Sequence, residues 1–179
     1  MSELKIRYLS NLSNFTIALT AFLIAEHANA ASRLPPQRFE VEVIDGDTLR
    51  IIGSKQSIRL YGVDACESGQ PMASKDGQRF DCGSPAVSAL MQWTEGQTVS
   101  CEIRDYDRYN RALAFCGTQA VPDFSAELIR KGLAVAYRYR SRAVWPEYQR
   151  IEDSAKRQNR GIWAYSFDEP WIYRKNLKN

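Results

Sequence analysis

The segment VIDGDTLRI, residues 43–51, places Asp45 and Asp47 on either side of a glycine. Asp-Gly between two apolar runs is typical of a tight turn between strands, and such a turn needs only one aspartate. The second carboxylate therefore has two interpretations: a solvated side chain, or a ligand in an anionic pocket for a hard cation. The string does not decide between them by itself, because motifs of this length often occur by chance.

Two later segments carry residue types suited to work on a phosphodiester. A phosphodiester resists water because its negative charge repels the nucleophile and its leaving group is poor. Hydrolysis needs positive charge at the phosphate oxygens and a base at the water. Arginine supplies the first, since its planar fork binds phosphate through two hydrogen bonds and keeps its charge. The candidates are Arg59, Asp64 and Glu67 in RLYGVDACE, and Arg108, Tyr109 and Arg111 in DRYNR.

The three segments in this order resemble the staphylococcal nuclease (thermonuclease) family. That family's pattern is a DGDT turn, an arginine-apolar-x-x-apolar-aspartate-x-x-glutamate run, and an aspartate-basic-aromatic-x-arginine loop. Later matches, LIRKGLAVAYRY and NRGIW, extend the likeness over about residues 39–163. The resemblance implies an OB-fold phosphodiesterase that uses Ca²⁺ to cut DNA and RNA, preferably single-stranded, leaving a 3′-phosphate and a free 5′-hydroxyl.

The resemblance also implies a role for each matched residue. Glu67 would orient or deprotonate the attacking water, while Arg59 and Arg111 would grip the phosphate. The metal set would comprise the carboxylates of Asp47 and Asp64, the backbone carbonyl of Thr48, and Asp45 nearby. The nucleotide contacts would be Arg108, Tyr109, Tyr137 and Tyr139.

Two positions depart from the family's pattern. Cys66 stands before the glutamate where proline is usual, and Asn110 stands in the basic loop where glycine is common. Asparagine tolerates left-handed backbone angles, so we expect the loop to keep its shape. A disulfide at Cys66 would hold the glutamate's loop as the proline does, which is a hypothesis.

The elements that must position these residues follow from the hydrophobic pattern. Five segments alternate or run apolar as strands: FEVEVID, TLRII, QSIRLYGV, TVSCEIR and RALAFC. Helical patterns follow Ser84, Pro122 and Trp145. Strands that run largely first, with helices between and after, indicate an α+β fold, here a five-stranded OB-type β-barrel with about three helices. We place this domain at residues 39–165, after a linker at 31–38 and before a C-terminal tail at 166–179 to which we assign no function.

The four cysteines suggest two disulfides in an oxidising compartment. If Arg108 and Tyr109 form a two-residue turn, Cys101 and Cys116 are equidistant from it and face each other on antiparallel strands. Directly opposed residues lie about 4.5 to 5.5 Å apart at Cα, within disulfide range. Cys66 and Cys82 then pair by elimination.

The N-terminus, residues 1–30, has the form of a signal peptide. Lys5 and Arg7 precede the apolar run FTIALTAFLIA, and Ala28-Asn29-Ala30 offers a small-x-small cleavage site. A buried helix or an uncleaved anchor is the alternative. We expect export to the periplasm or the exterior, no stable membrane association after cleavage, and a monomer. The single histidine, His27, leaves with the signal, so a carboxylate is the natural base.

Charge alone separates few classes of function. The formal net charge of +3 is mild and does not by itself indicate a nucleic-acid partner. The clusters YRYRSR and DYDRYNR suit phosphate and base contacts, although a solvated positive face explains each one equally, and Tyr137 and Tyr139 could instead pack between barrel and helix.

Two other functions stay open at this stage. One is a non-catalytic OB-fold module that binds nucleic acid or another polyanion; the other is an accessory periplasmic protein of polysaccharide export. A degenerate module should have lost one of Asp47, Arg59, Glu67 or Arg111, and all four are present.

Overall fold

The computed structural model describes residues 36–178. The predicted signal peptide lies outside these residues, as does most of the predicted linker. Within the described part, no helix combines the length and the apolar character needed to cross a membrane.

The main sheet contains the five predicted strands and a short additional one. The strands along the chain are β1 (Gln37–Phe39), β2 (Val41–Asp45), β3 (Thr48–Ile51), β4 (Ser57–Leu60), β5 (Val63–Ala65), β6 (Pro71–Ala73), β7 (Arg79–Asp81), β8 (Val99–Tyr106), β9 (Ala112–Gly117), β10 (Ala134–Ala136), β11 (Arg138–Tyr139), β12 (Arg142–Ala143) and β13 (Ser166–Phe167). The main sheet has the order β1-β8-β9-β4-β3-β2, with β4 parallel to β9. The α+β class and the OB-type arrangement are therefore confirmed, and the sheet begins two residues before the predicted domain start.

Four α-helices occur in residues 36–178, where about three were predicted. They are α1 (Ser84–Thr94), α2 (Phe124–Arg130), α3 (Pro146–Arg157) and α4 (Pro170–Asn176). Asp123 begins α2 by accepting a hydrogen bond from the Ala126 N–H at 2.9 Å. The same carboxylate accepts from the Tyr148 hydroxyl at 2.8 Å, which ties α2 to α3.

The hydrophobic core forms where the inward faces of the strands meet α1, α2 and α3. Its largest members are fully buried, and they come from β3, β4, α1, α2 and α3 in turn: Leu49, Ile58, Leu60, Leu90, Phe124, Leu128 and Tyr148. Because the side-chain period of a strand is two, this apolar face leaves the alternate residues, Arg59 among them, for the opposite face. The core thereby fixes the side of the sheet on which the site lies.

The β8–β9 hairpin confirms one prediction and corrects another. Cys101 lies opposite Cys116 as predicted, but the register shifts between Ile103 and Asp105, and the strands end at Tyr106 and Ala112. The predicted two-residue turn is therefore wrong, and a longer loop spans 107–111. The Asp107 carboxylate closes this loop by accepting from the backbone N–H groups of Tyr109 and Arg111, both at 2.9 Å.

Two expectations about the loops are confirmed. Asn110 adopts the left-handed conformation, with φ of 61°. Both disulfides are present, with Cα atoms 4.2 Å apart for Cys101–Cys116 and 5.5 Å apart for Cys66–Cys82. The second bridge joins the loop that carries Glu67 to the segment before α1.

The tail beyond residue 165 is part of the same packed structure. β13 pairs with β6, and α4 follows it. The buried side chain of Gln70 donates from Nε2 to the Asp168 carbonyl at 2.6 Å. The tail is thereby tied to the loop after Glu67, which the sequence pattern did not suggest.

Candidate active site

A cleft of about 870 Å³ opens on the face of the sheet that carries Arg59. It collects nine of the eleven residues predicted for catalysis, metal binding or substrate binding: Asp45, Asp47, Arg59, Glu67, Arg108, Tyr109, Arg111, Tyr137 and Tyr139. The other two, Thr48 and Asp64, are buried behind it. The cleft is therefore the place where the chemistry predicted from three distant segments comes together.

The DGD turn divides its two aspartates between two tasks. Asp45 accepts the Asp47 N–H at 3.0 Å through Oδ1, so Asp45 is the turn aspartate. Asp47 is buried at 3% exposure and accepts from the Thr48 hydroxyl and from the Ala65 N–H, each at 3.0 Å. A side chain on Gly46 would collide with Ala65, because its Cβ would lie 2.7 Å from the Ala65 Cβ. The turn thus presses against β5 and aims Asp47 into the site.

Thr48 holds Asp47 and does not face the cleft. Its hydroxyl donates to Asp47 Oδ1, and its backbone pairs with Arg59 in β4. Among the described residues that line the cleft, Thr48 is absent. The side chain of Thr48 thus positions Asp47, and the role of its backbone carbonyl as a cation ligand stays a prediction.

Arg59 joins the two carboxylates that come from different strands. Its Nη1 donates to Asp47 Oδ1, and its Nη2 donates to Asp64 Oδ1 at 2.8 Å. Burial lowers the pKa of Arg59, but the charges of Asp47, Asp64 and Asp45 outweigh burial and raise it, so the guanidinium stays charged. Its fork therefore brings Asp47 and Asp64 to opposite sides of one positive group.

The carboxylates of the site carry more negative charge than their partners neutralise. Burial raises the pKa of Asp45 to about 6, and the charge of Asp47 adds to the effect. Burial also raises the pKa of Asp64, and the hydrogen bond from Arg174 only partly opposes it. Neighbouring carboxylates that disfavour each other's ionisation create a site that attracts positive charge.

An arginine from the tail completes this cluster. Arg174 in α4 donates from Nη1 to Asp64 Oδ1 at 3.1 Å and to Glu67 Oε1 at 2.8 Å. Its Nη2 donates to Asp64 Oδ2 at 2.8 Å. The loop of Glu67 is fixed from behind, since the Glu67 N–H donates to Gln70 Oε1 at 3.0 Å. Glu67 itself remains partly exposed in the cleft, with 41% of its side chain accessible.

The donor set fits a hard divalent cation. Asp45, Asp47 and Asp64 offer carboxylate oxygens, and guanidinium groups already stand against two of them, so the place accepts positive charge. Among the side chains of residues 36–178, no three His, Cys, Asp or Glu groups converge in the arrangement of a metal site. Arg59 stands against Asp47 and Asp64, and Arg174 stands against Asp64 and Glu67.

The second arginine predicted to grip phosphate is held by its own loop. Arg111 Nε donates to Asp107 Oδ2 at 2.7 Å. Tyr109 lies beside this pair, with the Arg111 guanidinium 5.6 Å and the Arg108 guanidinium 4.7 Å from its ring centre. The loop 107–111 thus presents two cations and an exposed aromatic ring to the cleft.

Tyr137 and Tyr139 lie on another wall of the cleft. They are exposed at 38% and 62%, so neither is the buried packing residue that the sequence left open. The Tyr137 N–H donates to the Gly62 carbonyl at 2.9 Å, which fixes this wall to the segment between Arg59 and Asp64. Aromatic faces at such positions are available for stacking by any base.

Sequence reasoning missed Arg174 and Gln70. Neither belongs to a recognisable motif, and Arg174 stands 110 residues from Asp64 along the chain. One signal was available and was not used: Pro170 follows Glu169 and occupies the first turn of α4. Nothing in the sequence indicated that this helix reaches Asp64 and Glu67.

The chain matches the model of the family described as "Staphylococcal nuclease homologue" over residues 57–165. The micrococcal nuclease of Shigella flexneri is 31% identical over 150 residues, covering 78% of this chain and 80% of that protein. The succinoglycan biosynthesis protein ExoI of Rhizobium meliloti (strain 1021) is 32% identical over 146 residues, covering 81% and 72%. An endonuclease of Escherichia coli is 31% identical over 141 residues, covering 75% and 82%.

Proposed function

The chain belongs to the staphylococcal nuclease family and is a nuclease, and from this premise we propose that it is a calcium-dependent endonuclease that cuts DNA and RNA with low sequence specificity. The single observation that carries the proposal is the cleft in which Glu67, Arg59, Arg111 and the aspartates of the DGD turn meet. We further propose that single strands are preferred, that cutting leaves 3′-phosphate ends, and that the protein acts as an exported monomer.

Asp45, Asp47 and Asp64 would hold the cation. When bound there, Ca²⁺ supplies positive charge to the phosphate oxygens that gain charge in the transition state. The Thr48 hydroxyl and the Ala65 N–H both donate to Asp47 and keep that carboxylate in place. Oxygen ligands of this type suit Ca²⁺ better than they suit a softer metal.

Glu67 is the base. It lies in the cleft, it is partly exposed to water, and its loop is held by Gln70 and by the disulfide at Cys66. Water attacks phosphorus as its proton passes to Glu67; the bond from phosphorus to the 5′-oxygen breaks, and the leaving oxygen takes a proton from solvent. The phosphate stays on the 3′-oxygen.

Arg59 and Arg111 hold the phosphate. Each is paired with aspartate in the structure, which orients it while leaving some of its five N–H groups to a ligand. Tyr109, Tyr137 and Tyr139 are exposed and can stack on unpaired bases. Stacking does not read base edges, so low sequence specificity and a preference for single strands follow.

Cleavage of a single-stranded oligonucleotide with Ca²⁺, and with a chelator instead, tests the proposal. We expect Glu67→Gln to lower the rate about 10²–10⁴-fold and Arg59→Ala about 10²–10³-fold. Arg50→Ala is the matched control, because Arg50 is half exposed and paired with Glu42 on the sheet surface, and its rate should stay within about twofold of wild type.

The products identify the reaction. A 5′-hydroxyl end accepts phosphate from a kinase without prior dephosphorylation, so direct labelling of every new end is expected. Absence of cutting with calcium present and both disulfides intact would overturn the proposal.

The likeness to ExoI favours a second candidate, an accessory role in polysaccharide production. The two candidates make opposite predictions for Glu67→Gln in cells. An accessory role that does not use phosphodiester cleavage survives this substitution, whereas a nuclease role is lost with it. Polysaccharide yield and extracellular nuclease activity, measured in the same strain, separate the two.

A further inference from the structure

The C-terminal helix α4 lies beyond the part of the chain that matches the family model, yet it contacts the carboxylates of the candidate site. The family match ends at residue 165, and Arg174 contacts both Asp64 and Glu67. One guanidinium therefore bridges a proposed cation ligand and the proposed base. This contact joins the tail to the matched domain.

Arg174 and Arg59 together seal Asp64. The Asp64 side chain is 0% exposed, and it accepts three hydrogen bonds, two from Arg174 and one from Arg59. A carboxylate offers about four lone-pair positions, so three of them are filled. While Arg174 is docked, Asp64 does not face the cleft, and Arg174 lines the cleft in its place.

The tail is held firmly at one end and weakly at the other. Near its start, Pro170 is buried and Asp168 accepts from Gln70. The Arg138 guanidinium lies 5.7 Å from the ring centre of Trp171. At the other end Leu177 is 67% exposed, so few apolar contacts oppose movement of the last turn.

We propose that Arg174 competes with the divalent cation, occupying the place between Asp64 and Glu67 in the metal-free protein and withdrawing when Ca²⁺ binds. The inference rests on the proposed calcium dependence of the site. Arg59 takes only Oδ1 of Asp64, whereas Arg174 takes both of its oxygens. A divalent ion, which repels the guanidinium, therefore reaches Asp64 only when Arg174 withdraws. The tail thereby sets the calcium concentration at which the site fills.

The balance of charges in the site predicts how the loss of Arg174 changes the calcium affinity. Four carboxylates, Asp45, Asp47, Asp64 and Glu67, face two arginines, Arg59 and Arg174, as their cationic partners. Removing the charge of Arg174 leaves one more negative charge for the cation and frees the lone pairs of Asp64. Calcium affinity rises with the charge of the ligand set, so Arg174→Gln should bind Ca²⁺ more tightly.

Calorimetric titration of the full chain with CaCl₂ measures this directly. We expect Arg174→Gln to bind about tenfold more tightly than wild type. Lys175→Gln is the matched control, since it removes the same charge from the next residue of the helix, which is exposed; its affinity should stay within about twofold. Equal affinity of wild type and Arg174→Gln overturns the competition.

Hydrogen exchange of the wild-type tail gives a second readout that needs no variant. Saturating Ca²⁺ should speed exchange of the amides in residues 171–178, because the last turns of α4 lose their contact with Asp64 and Glu67. Exchange unchanged by saturating Ca²⁺ also overturns the competition.

Failure of the competition is distinguishable from failure of the proposed function. DNA cutting with equal calcium affinity in both proteins overturns the competition and leaves the nuclease. Tighter calcium binding in Arg174→Gln without cutting by any variant supports the competition and overturns the nuclease. Lack of calcium binding by every variant overturns both.

Discussion

Two carboxylates of this protein, Asp64 and Glu152, are equally buried at 0% exposure, and arginines from distant segments hold both. Asp64 lies in the active-site cluster, while Glu152 lies on α3, where it faces β10 and β11. The pKa of Glu152 is lowered, because the hydrogen bond and charge of Arg138, the Ala136 N–H and Lys156 outweigh its burial. The pKa of Asp64 is raised, because burial and the charge of Asp47 outweigh the same kinds of contact.

The difference lies in how many anions share the donors. Glu152 accepts from the Ala136 N–H at 2.9 Å, from Gln149 and Lys156 at 3.1 Å each, and from both terminal nitrogens of Arg138. These donors form a closed structural network. Asp64 must share Arg59 with Asp47 and Arg174 with Glu67.

Equal burial therefore does not mean equal purpose. A carboxylate with its own donors has its charge and hydrogen bonds satisfied within the fold, and it stabilises that fold. A carboxylate that shares its donors leaves negative charge that can attract a cation to the cleft. The same residue types thus serve stability on one side of the molecule and chemistry on the other.

Neutralising Glu152 and Asp64 in turn should give the largest difference between a carboxylate that stabilises the fold and one that serves the site. Glu152→Gln strips the partner from Arg138, whose side chain is only 17% exposed, and should cost about 3–5 kcal/mol of unfolding free energy. Asp64→Asn leaves Arg59 with Asp47 and Arg174 with Glu67, and burial already disfavours the charge of Asp64, so it should cost less, about 1–2 kcal/mol. Urea unfolding with intact disulfides and a chelator measures both.

Activity should follow the opposite order. Asp64→Asn should abolish calcium-dependent cutting, whereas Glu152→Gln should keep near-normal activity per folded molecule at low temperature. A loss of stability in Asp64→Asn as large as that in Glu152→Gln would show that the two clusters do not differ in the way described.

Sequence predicted the parts of the site that come from local pattern. The DGD turn, the five strands, the Cys101–Cys116 pair and the left-handed Asn110 all follow from residue types at short range. The two-residue turn at Arg108 failed because a bulge between Ile103 and Asp105 moved the register and Asp107 closed a wider loop. A bulge adds one residue to a single strand. Arg104, Asp105 and Tyr106 are all exposed, so no hydrophobic alternation marks the extra residue at this end of β8.

The long-range contacts could not be predicted from the sequence, for a physical reason. Whether the guanidinium of Arg174 meets Asp64 depends on where α4 docks. That docking depends on contacts between segments about 100 residues apart, such as the hydrogen bond from Gln70 to the Asp168 carbonyl. Charge counts over the whole chain do not reveal such pairings. The resemblance implied roles for the matched residues, but the tail lies outside the matched pattern.

Replacing Arg138 by lysine tests how much of the Glu152 network depends on shape rather than charge. The Arg138 fork donates to Glu152, to Gln149 Oε1 at 2.8 Å and to the Ala136 carbonyl at 2.8 Å. Lysine keeps the charge but lacks the planar fork, so Arg138→Lys should cost about 1–2 kcal/mol of unfolding free energy. Arg150→Lys, on the exposed face of α3, is the control and should change stability by less than about 0.5 kcal/mol. Equal effects in the two variants would contradict the importance of the fork.

The smallest expected effect is on the pH dependence of stability. The folded-state pKa of Glu152 lies below its unfolded value of 4.5, so its contribution is complete above pH 4.5 and is lost as pH falls through the folded pKa. The free-energy difference between wild type and Glu152→Gln should therefore be constant from pH 7 to about pH 5 and should shrink below that. The pKa values of the exposed Asp76 and Asp81 are also lowered. Both residues are the same in the two proteins, so their contribution to the pH dependence cancels in the difference. Urea unfolding of both proteins at intervals of half a pH unit measures the curve, and a difference that grows on acidification would mean that burial, and not Arg138, dominates the ionisation of Glu152.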